Sequence, residues 1–126
     1  MKRYLYLALS AFVLVGIGSC AARTLGLYHA HWYTDVLLHL VAGVGFGFIW
    51  LGLMKKWDYK KPLVLILGAS ALAVLGSVLW EVWEFAGWRL IPGHMRNYIP
   101  ELGDSLSDIL WGLIGGAAAG FWRARK

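Results

Sequence analysis

Apolar residues run along this chain in four long stretches, and most of the charge is gathered at the junctions between them. The first stretch, 4–22, carries no charged residue, and the others cover 31–54, 62–90 and 104–122. An α-helix rises about 1.5 Å per residue, so roughly 20 apolar residues cross a hydrocarbon layer about 30 Å thick. Each stretch reaches about that length, and the two middle ones exceed it, so their ends should tilt or protrude. The pattern predicts an all-α fold: a polytopic transmembrane bundle of four spans, in one domain covering 1–126.

Composition agrees with this reading. The 126 residues are 60% hydrophobic and 15% charged, with a mean hydropathy of +0.61, whereas soluble domains carry about 25% charged residues. Basic residues then set an orientation. Lys2 and Arg3 precede the first span, Lys55, Lys56, Lys60 and Lys61 join the second to the third, and Arg123, Arg125 and Lys126 close the chain. The other two connections hold only Arg23, and Arg89 with Arg96. The positive-inside rule puts both termini and the 55–61 loop in the cytoplasm. Trp50, Trp57 and Trp122 then fall near the inner boundary and Trp32, Trp80, Trp83 and Trp88 near the outer one, as aromatic belts require. The net charge of +5 is mostly this topological signal. It implies no nucleic-acid partner, and at most a weak attraction for anionic lipid.

A single cysteine, Cys20, excludes an intramolecular disulfide. Met1-Lys2-Arg3 followed by an apolar run and Ile17-Gly18-Ser19-Cys20 has the outline of a lipoprotein signal, in which Cys20 would be lipidated after cleavage. Because the run continues past Cys20 and three more spans follow, an uncleaved first span is the preferred reading. Small residues mark the other spans, notably Gly43-x-x-x-Gly47 and Gly112-x-x-x-Gly116-x-x-x-Gly120. Such spacing lets backbones approach where van der Waals contact must drive association. Packing within the chain is the expected use, with a homo-oligomer face as the alternative.

Against this apolar background stand Asp35-x-x-x-His39, Glu81-x-x-Glu84 and Asp104-x-x-x-Asp108. Spacings of three and four put both members of each pair on one helix face. Counted from the inner boundary, His39 and Asp35 lie about 22 and 28 Å up, Glu81 about 28 Å, and Asp108 and Asp104 about 21 and 27 Å. Spans that alternate in direction therefore deliver all six groups to one outer layer, where chance would scatter them. Ionisable groups at membrane depth are costly and mark functional sites.

Carboxylates crowded together must share protons or bind cations. With a histidine on facing helices they form a ligand set used for divalent ions in helical bundles, so a Zn²⁺, Mn²⁺ or Mg²⁺ site is one expectation and a proton-sharing network the other. The plainer alternative is that Asp104 or Ser105 caps the fourth helix and Glu84 is wet at the interface. Accessory candidates are His31, one turn before Asp35, and Arg89, His94 and Arg96. The 89–103 loop, with Pro92, Gly93 and Pro100, could fold over the site as a lid. Its arginines would suit an anionic group, or simply face solvent.

The three motifs, in this order, resemble the YjdF-like family of small bacterial membrane proteins and, more distantly, VanZ-like proteins. The resemblance rests on Asp35-Val-Leu-Leu-His39 followed by Gly43, Glu81-Val-Trp-Glu84, and Gly103-Asp104-Ser-Leu-Ser-Asp108 followed by Gly115 and Gly116, and covers roughly 31–120. Glu84 replaces a glutamine of the VanZ-like pattern, and Gly112 stands where an asparagine is common. The chain is also shorter than typical YjdF-like proteins. The resemblance implies a compact helical membrane fold in a bacterial cell envelope and leaves the activity open.

Three functions compete. One is an enzyme acting on a lipid head group or lipid-linked envelope precursor, with metal and general base drawn from the six groups. Another is a non-catalytic module binding a lipid or cation. The third, proton or cation transport, needs polar groups continuing toward the cytoplasm. Below His39, Glu81 and Asp108 these spans offer little beyond Ser70 and Ser77, which ranks transport last. The expected location is the cytoplasmic membrane, multi-pass, with the site facing outward.

Overall fold

The computed structural model describes residues 1–90 and 102–125. Its helices are α1 (Lys2–Thr24), α2 (Leu27–Ala30), α3 (Tyr33–Lys56), α4 (Pro62–Leu90) and α5 (Leu102–Ala124). The described chain is all-helical, and α1, α3 and the Pro62–Gly87 part of α4 are long and apolar enough to cross a membrane. α5 is as long as α1, at 23 residues. Asp104, Ser105, Ser107 and Asp108 occupy its first two turns, which interrupts its apolar run at that end.

Local chemistry explains where the helices stop. Gly26 takes a left-handed conformation with φ 68°, which separates α1 from the single turn of α2. At the end of α3 the Tyr59 N–H bonds Met54 O at 2.9 Å and the Asp58 N–H bonds Lys55 O at 3.3 Å, with Asp58 at φ 49°. That is a Schellman closure with aspartate in the position that glycine usually fills. Pro62 opens α4, where a missing N–H costs nothing.

Which residues touch gives the topology. α5 runs parallel to α3: His39 meets Asp108, Gly43 meets Gly112, and Gly47 meets Gly116 and Ala119. It runs antiparallel to α4, where Glu81 meets Ser105, Gly116 meets Ala69 and Ala73, and Gly120 meets Ile66. α1 runs antiparallel to α3, with Gly45 on Ala11 and Phe12 and Gly52 on Tyr4. Successive long helices thus alternate in direction. α3, α4 and α5 form a mutually packed trio, while the backbone of α1 comes close only to α3 among the long helices.

Both glycine series are consumed inside the trio. A Cβ on Gly116 would lie 2.6 Å from Ala69 O and 2.7 Å from the Ala73 Cβ, inside any real contact distance, so backbone meets backbone there. α3 and α4 use a second device, aromatic rings laid over glycines: Trp50 covers Gly68 and Phe46 covers Gly76. The Trp50 indole N–H donates to Val64 O at 3.1 Å, so this large side chain is not left with an unpaired donor. Leu51, Met54, Leu65 and Ala119 fill the core toward the chain termini, bordered by Tyr4 and Phe48. Arg3 sits over the Trp122 ring there, 5.7 Å from its centroid.

Candidate functional site

Because neighbouring helices alternate, the start of α3, the end of α4 and the start of α5 meet at the end of the bundle opposite the termini. α3 contributes Asp35 and His39 one turn apart, and α5 contributes Asp108. His39 and Asp108 are buried, and about a third of the Asp35 side chain is exposed. His39 Nε2 lies 3.6 Å from Asp35 Oδ1 and 3.7 Å from Asp108 Oδ2. One ligand atom from each of the three residues falls within 4.8 Å of the others.

The other acidic groups stand around this trio in different roles. Ser105 Oγ donates to Glu81 Oε2 at 2.5 Å, tying α5 to α4. Glu81 Oε1 is buried and has no hydrogen-bond partner among the described residues. A buried carboxylate oxygen left this way calls for a cation or a shared proton. Glu84 lies one turn further along α4, on the wall of a cavity that Asp35 and His39 also line. Asp104 is exposed in the first turn of α5, near enough for its charge to act on Asp35, His39 and Asp108.

Two expectations need correction. His31 does not extend the Asp35–His39 stripe. It follows the short α2 in an extended conformation (φ −142°, ψ 101°), exposed, with its ring stacked on Tyr33 at 5.2 Å. The Gly26 turn inserts this extra helix and delays the start of α3 to Tyr33. Ser105 does not cap α5, which begins at Leu102; its hydroxyl is committed to Glu81. Arg89 belongs to the last turn of α4, while His94 and Arg96 lie outside the described residues.

Tyr28 and Ser19 also reach this end of the molecule. Both line the cavity with Asp35 and Glu84. Burial raises the Tyr28 pKa above its ordinary value of 10.0, which keeps the phenol neutral and able to donate. The only signal for Ser19 in the sequence is depth: the end of the first span must reach the same layer as Asp35. Tyr28 had no signal, because α2 itself was not expected.

The family-model description that matches is "Predicted membrane protein (DUF2238)", over residues 1–126. The chain belongs to that family. It is also similar to an uncharacterized protein of Thermotoga maritima, with 27% identity over 105 residues. That match covers 80% of this chain and 53% of the relative, so the chain spans about half the relative's length. No solved structure matches.

Proposed function

We propose that this protein binds a divalent cation at the outer end of a four-span bundle and presents it to the head group of a lipid or lipid-linked envelope precursor. The observation that carries the reading is His39 Nε2 bracketed by two carboxylate oxygens at 3.6 and 3.7 Å. Both distances are too long for hydrogen bonds. Ligand atoms bound about 2.1 Å from one tetrahedral cation stand about 3.4 Å apart, close to this spacing. Two carboxylates and one imidazole also neutralise a dication while leaving coordination positions open for a water or a head-group oxygen. Glu81, with one oxygen unpartnered and its charge acting on His39 and Asp108, is the group suited to take a proton in an enzyme.

The same cluster serves a non-catalytic cation- or lipid-binding module, a second reading that needs the same residues and no general base. Transport ranks below both. Ser70, the deeper hydroxyl, is committed to Ile66 O at 3.0 Å and offers no onward step. Four spans in a bacterial cytoplasmic membrane, with both termini inside, agree with the alternating helices, with the full-length packing of α5 against α3 and α4, and with the basic residues at the terminal end. The YjdF-like resemblance is consistent with the family found.

Elemental analysis of the detergent-purified protein tests the cation: close to one equivalent is expected, lost in Asp108→Asn and His39→Ala. Chelation should lower the melting temperature of the wild type and leave both variants unmoved. Metal-free protein that melts identically with and without chelator overturns the reading. For orientation, a cysteine at Lys60 in a Cys20→Ser background should label only from the cytoplasm, and one at Trp32 only from outside.

A further inference from the structure

Among the described residues the backbones of α1 and α4 stay more than 8 Å apart between Cα atoms, although both pack on α3. Between them lies a cavity of about 450 Å³, a size used for small-molecule ligands. Its deep end is closed by Phe46 of α3, which meets Phe12 of α1 edge-on at 5.0 Å and lies over Gly76 of α4. Ala42 forms part of the floor, and Val15 and Leu79 belong to opposite walls. In a bilayer this gap opens sideways toward lipid.

The other end is polar and unsymmetrical. Asp35 and Glu84 line it together with Tyr28 and Ser19, and among the described residues no lysine or arginine does. Arg23, exposed at the end of α1, stands just outside the lining, with its charge acting on both Tyr28 and Glu84. An apolar slot therefore leads to a mouth with carboxylates inside and a guanidinium at its border. A primary ammonium donates to carboxylates in charge-assisted hydrogen bonds, and a phosphodiester suits a guanidinium. A quaternary ammonium has no N–H to give.

We infer that the α1–α4 groove binds one aminophospholipid, a hydrocarbon chain lying over Ala42 and Phe46, its ammonium on Glu84 and its phosphate toward Arg23. This site adjoins the proposed cation site and shares Asp35 and His39 on its wall, but the two groups assigned to the head group, Glu84 and Arg23, are not among the three ligands.

The test is native mass spectrometry of the full chain in detergent, titrated with phosphatidylethanolamine or phosphatidylcholine of identical chains, with and without chelator. Wild type should retain phosphatidylethanolamine about tenfold more tightly, the equivalent of one charge-assisted hydrogen bond. Glu84→Gln should bring the ratio near one, chiefly by weakening retention of phosphatidylethanolamine. Ala42→Phe, which fills the floor, should weaken retention of both lipids. A wild-type ratio of one overturns the proposal without any variant having to fold. A tenfold ratio that survives Glu84→Gln, with retention of both lipids undiminished in Ala42→Phe, overturns the assignment to this groove. If the ratio persists in chelated protein that carries no metal, the groove stands even where the cation site falls.

Discussion

The two sides of α3 close in opposite ways. Toward α5 it presents Gly43 and Gly47, and backbone meets backbone along a seam that continues through Gly112, Gly116 and Gly120 onto α4. Toward α1 the contacts are made by side chains, Phe12 on Gly45 and Tyr4 on Gly52, and α1 stops short of α4. The seam buries Asp108 and His39, while the open side leaves a groove with Glu84 on its wall. In lipid there is no hydrophobic force to draw apolar helices together, so fit decides which faces close. Small residues brought His39 and Asp108 together on one side of α3, and larger ones left an entrance on the other, onto which Asp35 and His39 also look.

The largest expected effect comes from breaking the seam. Gly116→Leu forces a side chain into Ala69 and Ala73 and should cost about 3 kcal/mol or more, seen as lost folded yield and a lower melting temperature in detergent. Its counterpart on the α1 side, Gly45→Leu, meets the side chains of Ala11 and Phe12, at 3.1 to 3.3 Å, and should cost less because side chains can give way where backbone cannot. Equal loss in both variants would dissolve the contrast between a tight and an open side.

A smaller effect sharpens the comparison at the polar end of the seam. Ser105→Ala removes the hydroxyl that Glu81 Oε2 accepts from, leaving both oxygens of a half-buried carboxylate without their partner in the bundle. The expected loss is about 1.5 kcal/mol, read as a drop in melting temperature. Glu84→Gln on the groove side should move stability less than this, because Glu84 faces the cavity.

Much of this molecule was legible in the chain. The run from 62 to 90 became a helix with the same ends, because Pro62 begins it and nothing interrupts its apolar length. The convergence of Asp35, His39 and Asp108 followed from depth counting, since rigid helices of 1.5 Å rise put chosen positions at predictable heights. The glycine series likewise announced close packing, although not which partner each series would meet.

Height along a helix does not fix direction around it, and there the chain was silent. Asp104 and Asp108 share one helix face by spacing, yet Asp108 is buried against His39 while Asp104 is exposed. Glu81 turns to α5 and Glu84 to the groove, though three residues separate them. His31 lost its place on the stripe to a local turn at Gly26 that apolar periodicity cannot register. Sequence by itself determined the class, the helices and the layer that gathers the ionisable groups, because these follow from hydrophobic length, backbone rise and alternating direction. Only the tertiary structure decided which groups share a centre and which line an entrance, because that depends on helix rotation, which small residues set when backbones settle against each other.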